Sequence, residues 1–487
     1  MLHQTQWEQI SRWIDERRGA MTEDLRGLVR IRSVSDKTSP VAPFGQGCRD
    51  ALAQMLALGS RDGFFLRDYD GYAGCVREDE RRCDIALWGH LDVVDEGSGW
   101  RYPPYEGVIV DGHMIGRGSA DNKSALVAAL YALQCLRALG VRRRYTAGVY
   151  FGCSEETGME DIPYFLRHGE VARLNLVVDS GFPVCYGEAG SMNWRMVYNE
   201  PLSDAIADFS AGEGPGMVPA VASVTLRGCH ALVPAEHITV RPLDGATRID
   251  ASGVAGHPAF PAGTRNALGV LADYLLSQNV LTGGDAAKFA FMRDLVCDNR
   301  GGALHIARED GLPAMLYCTP TMARLEDGRV ALTVNIRYPA GDPAVTDPTI
   351  LRPEMLTPGI ERAAREQGMT LSLLRFGAPS LFFPREHPVV QTLNQVYHDA
   401  VRDWGQPFIL NGGCYAHALP NALGFGPGPL WNKPCAALPP GHGGAHGPDE
   451  CQSLDALAAL AKVLAYALIR LDDLPLPEAP AEKEESK

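Results

Sequence analysis

Ile85-Ala86-Leu87-Trp88-Gly89-His90-Leu91-Asp92 runs four apolar residues into a glycine and then a histidine. A short apolar run closed in this way reads as a buried strand, with His90 at its C-terminal end. Working outward, the pattern recurs. Ala147 to Phe151 is a second run and leads into Ser154-Glu155-Glu156, and Leu174 to Val178 is a third that ends at Asp179. Between them, Ser124 to Leu139 is rich in Ala and Leu on a helical period, and Asp161 to His168 is a shorter helix. Upstream, Trp7 to Ile31 also carries apolar residues at helical spacing. Strands alternating with helices predict an α/β fold, a mostly parallel sheet flanked by helices on both faces. In such sheets ligands bind outside the carboxyl ends of the strands. His90, Glu155, Glu156 and Asp179 all fall there.

The composition changes near residue 186. Gly212-Glu213-Gly214-Pro215-Gly216 reads as a loop, Val221 to Leu226 as a strand, Arg265 to Ser277 as a helix and Val330 to Ile336 as a strand. Pro353 to Gln367 is a further helix and Leu371 to Leu374 a short strand. Together these describe a separate α+β unit of roughly two hundred residues, an ordinary domain size. Helix resumes over Pro388 to Arg402, and a Gly-rich stretch runs from Asn411 to Gly447. Residues 475–487 are rich in Pro, Glu and Lys and are expected to be a disordered tail. No internal repeat is found.

A chain of 487 residues is too long for one ordinary core, so two or more domains are expected. Hydrophobic residues at 46% and charged residues at 21% are those of a globular protein rather than a disordered one. A net charge of −14 argues against nucleic acid as a partner, because phosphate binding needs a basic surface. The N-terminus lacks the apolar core of a signal peptide, and no stretch has the length and apolarity of a membrane span. Twelve scattered cysteines without a C-x-x-C pair then read as thiols in a cytoplasmic protein.

The candidate residues are bland one at a time. Residues two apart on extended chain point the same way, so Asp92 is placed to orient His90. Asp121 stands just before the Ala- and Leu-rich helix, as a helix cap or a ligand. Adjacent carboxylates such as Glu155 and Glu156 repel, and holding them beside a third acid is costly unless a cation neutralises them. Asp179 is a strand end or a ligand, and His442 and His446 lie in one glycine-rich loop. Together they supply the His, Asp and Glu donors that suit two zinc-like ions bridged by one carboxylate, with a glutamate left over as base. Serine hydrolysis is disfavoured, since no Gly-x-Ser-x-Gly elbow occurs.

The series His90-Leu91-Asp92-Val93-Val94, Trp100, Pro103-Pro104-Tyr105, Gly116-Arg117-Gly118-Ser119-Ala120-Asp121-Asn122-Lys123, Ser154-Glu155-Glu156-Thr157-Gly158 and Asp179 resembles the M20 family of co-catalytic zinc peptidases and deacylases. Gly253 to His257, Asn335 to Pro339, Gly412 to His417 and His446 to Glu450 are similar to its PepV-like dipeptidase branch. The resemblance implies a catalytic di-metal domain of residues 1–185 and 385–474, with an inserted lid domain over 186–384. It implies that His90 and Asp179 hold one metal, Glu156 and His446 the other, and that Asp121 bridges them. By the same resemblance Asp92 would orient His90, and Glu155 would be the general base acting on a metal-bridging water. The resemblance further implies that, from the lid, His257 stabilises the oxyanion and Arg337 binds the substrate carboxylate. The implied cofactors are two divalent metal ions, zinc first, with manganese or cobalt as alternatives.

The implied substrate is a dipeptide, with an N-acyl amino acid cleaved by an aminoacylase- or desuccinylase-type deacylase as the alternative. An inactive binding protein is the third reading, opposed by the intact Glu155 and ligand set. No membrane partner is expected, and a monomer is favoured over a dimer. Three positions depart from the family pattern; they leave the metal ligands untouched and bear on the substrate contacts. His417 stands where arginine is usual, Ser124 where glycine follows the lysine, and Gly228 to Pro234 lacks the asparagine usual before Val-Pro.

Overall fold

The structure is a computed structural model that describes residues 2–41, 43–214, 216–281, 283–307, 316–338, 353–376, 381–428, 431 and 435–480. The chain forms two compact units. One comprises Met1–Gly187, Phe383–Phe408 and Gly413–Lys487, and the other Glu188–Phe382 and Ile409–Gly412.

In the first unit, Ala147–Gly152, Ile85–His90, Leu174–Val177 and Ala422–Gly424 lie side by side in that order, all parallel. Ala73–Arg77 and then Phe65–Tyr69 extend the sheet as antiparallel strands. Every residue of Ile85–His90 and of Ala147–Gly152 is buried, as expected of central strands covered on both faces. Lys123–Ala138 packs on this sheet and against Leu454–Leu471, which is apolar over most of its length and capped by Ser453 accepting from the Ala456 N–H. A second, three-stranded sheet orders Cys451–Ser453, His113–Ile115 and Val108–Val110 antiparallel. It brings the loop after His113–Ile115 beside the loop that precedes Cys451.

The second unit is an eight-stranded antiparallel sheet. Its order is Ile238–Leu243, Ala246–Ser252, Val221–Arg227, Ile206–Ala211, Tyr317–Glu326, Arg329–Tyr338, Gly190–Tyr198 and Met369–Phe376. Gly190–Tyr198 alternates buried and half-buried residues, so Met192, Trp194, Met196 and Tyr198 face one core. Ala267–Ser277, Gly283–Cys297 and Pro353–Glu366 cover that face through Leu268, Leu271, Phe289, Met292, Leu356 and Ile360.

Three expectations need revision. Trp7 to Ile31 is two helices, Leu2–Asp15 and Arg18–Val29, because Arg17 (φ −112°, ψ 8°) leaves helical geometry between them. Residues 409–412 belong with the second unit rather than the first. The tail does not begin at 475: Leu476 is buried, Arg173 donates to the Leu476 and Pro477 carbonyls, and Asn421 donates to that of Glu478. Residues 481–487 lie outside the described residues, as do Pro215 and Pro339 of the motifs quoted above. No helix among the described residues is long and apolar enough to cross a membrane. None of the twelve cysteines forms a disulfide.

Candidate metal centre

Four side chains reach one point because three parallel strands end together. His90 closes its strand, Glu155 and Glu156 follow Ala147–Gly152 by three and four positions, and Asp179 follows Leu174–Val177 by two. Asp121 arrives from the loop before Lys123–Ala138. The cap position of that helix is Asn122, so the Asp121 carboxylate does not serve as a cap. His446 comes from the glycine-rich loop.

The carboxylate of Asp121 faces two ways. Its Oδ1 is 3.1 Å from His90 Nε2 and its Oδ2 is 3.1 Å from His446 Nε2. His90 Nε2 is also 3.4 Å from Asp179 Oδ2, and His446 Nε2 is 2.9 Å from Glu156 Oε1. Donors bound at about 2.0–2.1 Å to one tetrahedral ion stand roughly 3.3 Å apart. The observed spacings, 2.9–3.4 Å, match that separation on both sides of Asp121. Ligand atoms of His90, Asp121 and Glu156, and separately of His90, Glu155 and Asp179, lie within 4.8 Å of one another.

The electrostatics fit a cation as well. Burial pushes Glu155 well above the ordinary carboxylate range, with Glu156, Asp179 and Asp92 adding like charge. Burial likewise raises Glu156 and Asp179, and Asp121 repels both. The His446 side chain is half exposed; partial desolvation acts to lower it, but Asp121 and Glu156 outweigh that and raise it to about 11. At His90 burial is outweighed in the same way by Asp179, Asp121 and Asp92. Burial acts to raise Asp121, yet its bonds to His446 and His90 hold it below the usual range. Five carboxylates, of Asp92, Asp121, Glu155, Glu156 and Asp179, thus stand against two histidines, more negative charge than the side chains themselves balance, which suits a divalent cation.

Further residues hold this arrangement. Asn122 accepts from the His90 N–H and donates to the Val178 carbonyl and to Asp179 Oδ1, tying two strand ends together. Asp92 accepts the Glu155 N–H on one oxygen and the Glu156 N–H on the other, each at 3.1 Å. Asp161 Oδ2 takes the Cys153 and Ser154 N–H groups and the Tyr415 hydroxyl. Four successive amides, 153–156, are therefore held by two buried aspartates. Asn122 and Tyr415 lie inside motifs already visible in the sequence but carry no local sign of these roles, and Asp161 carries none beyond opening a helix.

His442 is not among the carboxylates of this cluster; its Nδ1 pairs with Asp449 Oδ2 at 2.6 Å. His257 and Arg337 lie in the second unit. His257 is exposed, and its Nδ1 accepts from the Ala259 N–H. Arg337 is half-buried on Arg329–Tyr338, where its Nε donates to Asn335 Oδ1. His417 closes the turn Tyr415–His417 in the first unit.

Comparisons with known proteins give the family and the fold. The Beta-Ala-Xaa dipeptidase of Lactobacillus delbrueckii subsp. lactis is 27% identical, over 94% of this chain and 97% of the relative. Among solved structures, the di-peptidase Dug1p of Saccharomyces cerevisiae has a TM-score of 0.57 at 13% identity, covering 98% of this chain and 100% of that one. Human carnosine dipeptidase 1 has a TM-score of 0.56 at 15% identity, covering 96% and 99%. These two share the fold. The model of peptidase family M20/M25/M40 matches residues 86–470, and the chain belongs to that family.

Proposed function

We propose that the protein is a metal-dependent dipeptidase, cleaving the amide bond of small peptides with Glu155 as general base. The observation that carries the reading is Asp121, whose two oxygens face His90 on one side and His446 on the other at equal distance. A carboxylate so placed suits a bridge between two ions. His90 and Asp179 would hold one ion, Glu156 and His446 the other. The near full-length relationship to a Beta-Ala-Xaa dipeptidase supports the substrate class.

Two divalent ions, zinc first among the candidates, would when bound supply Lewis-acid polarisation of the scissile carbonyl and ease deprotonation of water. The chain does the rest. Glu155 sits beside His90 and Asp179, and burial raises its proton affinity. It takes a proton from the attacking water onto its carboxylate and passes it to the departing amine. Asp92 and Asp161 hold the loop that aims it. His257 is proposed to donate to the developing oxyanion and Arg337 to bind the substrate carboxylate.

Purified protein stripped of metal, then reloaded with Zn2+, Mn2+ or Co2+, tests this against dipeptides and N-acyl amino acids. The expected result is dipeptide cleavage that depends on metal. Turnover of N-acyl amino acids alone would reassign the protein as a deacylase. Full activity after chelation would end the metallopeptidase reading.

A further inference from the structure

Three stretches quoted from the sequence, Trp100, Pro103-Pro104-Tyr105 and Gly116-Arg117-Gly118, supply none of the candidate ligands, yet they converge on one buried pair. Arg117 is 1% exposed and Glu450 is fully buried, with Arg117 Nη1 donating to Glu450 Oε2 at 2.6 Å. Burying two charges is costly, the more so here because Arg117 Nε has no hydrogen-bond partner among the described residues, so such a pair persists where its other contacts matter. The other Glu450 oxygen, Oε1, accepts the Ala120 N–H at 2.9 Å and the Asp121 N–H at 3.0 Å. On the opposite side, Arg117 Nη2 donates to the His446 carbonyl at 3.2 Å. The guanidinium lies over the Trp100 ring, and the Arg117 N–H is taken by the Pro104 carbonyl.

One ion pair therefore grips the backbone of both residues that face each other across the candidate centre. His446 needs such a grip. Its φ of 63° lies in the left-handed region, where a residue with a Cβ stays only if its surroundings fix it. The Gly116 N–H bonded to the Glu450 carbonyl closes the two loops on each other.

We propose that Arg117 and Glu450 are positioning residues for the metal centre: they set the separation of Asp121 and His446, and with it the affinity for the ion that Glu156 and His446 would share. The proposal rests on the two-ion reading above. Removing outer partners of metal ligands typically weakens binding about 10–100-fold.

The test is stepwise Zn2+ titration of metal-free protein against a chromophoric chelator, well below each variant's melting temperature. Wild type is expected to bind two ions. A wild type that binds fewer than two overturns the functional reading and this inference with it. Glu450→Gln, Glu450→Asp and Arg117→Lys are expected to keep the first ion within about threefold and to weaken the second about 10–100-fold. Leu464→Ala, in the core of helix Leu454–Leu471, lowers stability without touching the pair and is expected to bind both ions as wild type does. Glu450→Asp keeps the charge beside Arg117, so it carries the test if Glu450→Gln fails to fold. Wild-type affinity for the second ion in the folded Glu450 and Arg117 variants overturns the inference. So does an equal loss in Leu464→Ala, which would make the effect one of stability alone.

Discussion

His90 Nδ1 lies 2.9 Å from the backbone carbonyl of Asp92 and 3.4 Å from its carboxylate. The ring is held chiefly by the main chain, while the carboxylate is occupied by the Glu155 and Glu156 amides. Asp92 therefore acts on the glutamates at least as much as on the histidine. An asparagine there keeps the carbonyl beside His90 but offers only one oxygen to two N–H groups. Asp92→Asn is expected to lower kcat about 10–100-fold, the usual cost of losing an outer-shell partner. Steady-state kinetics with far-UV circular dichroism checks this, and an unchanged kcat in a folded variant would remove the loop-holding role.

Glu155 and Glu156 are neighbours with different surroundings. Glu156 bonds His446, whereas Glu155 lies with His90 and Asp179 and is pushed well above the ordinary range by burial. Glu155→Gln is expected to keep both metals and lose about 10²–10⁴-fold in turnover, the usual contribution of a general base. Glu156→Gln is expected to lose metal as well. Metal analysis beside kinetics separates them. Loss of an ion from Glu155→Gln would make Glu155 a ligand rather than the base.

Asp161 gives a pH dependence of stability. Burial, with Asp92 next in importance, raises its pKa to about 7 against bonds from Tyr415 and two amides that act to lower it. The folded-state pKa lies above the unfolded value near 3.9. Folded protein therefore binds more protons between about pH 4 and 7, and stability falls as pH rises through that window. Above about pH 7 both states are ionised and the loss is complete, on the order of a few kcal/mol. Asp161→Asn lacks this group. Its stability relative to wild type is expected to climb from pH 5 to 7 and then level off in denaturant titrations. A difference independent of pH would show that Asp161 stays ionised.

The parallel core was legible because its strands are short apolar runs that stop at polar residues, and the same stops supplied His90, Glu155, Glu156 and Asp179. Less local features were not. Gln46–Arg61 begins at Gly45 with no side-chain cap and contains Gly47 and Gly59, so neither a start signal nor strong propensity marks it. Gly59 is there because a Cβ would strike Val76 and Leu66 of the two antiparallel strands, which were missed with it. The Arg117–Glu450 pair joins positions 333 residues apart, and only tertiary structure unites them. Residues 409–412 side with the second unit for the same reason, through contacts such as the Ala189 N–H to the Leu410 carbonyl.

The second unit carries the last prediction, which concerns substrate choice. A dipeptide presents a free carboxylate one residue beyond the scissile bond, and a planar guanidinium matches it in a bidentate fork. Arg337 has its Nε on Asn335, and Asn335 is itself fixed by donating to Asn193 on the adjacent strand at 2.8 Å. Such a chain of bonds limits the side chain's freedom, which would lower the entropy lost in the carboxylate binding proposed for Arg337. A hydrogen bond to a charged group contributes about 1.5–3 kcal/mol. Arg337→Ala is thus expected to lower kcat/KM for free dipeptides roughly 10–100-fold, and to leave C-terminally amidated ones, already poor, nearly unchanged. His257→Ala is expected to depress kcat on every substrate by about 10²–10³-fold, as loss of one oxyanion donor does. The two variants separate recognition from chemistry. Equal losses on free and amidated peptides in Arg337→Ala would remove its proposed carboxylate role, and unchanged kcat in His257→Ala would remove its proposed oxyanion role.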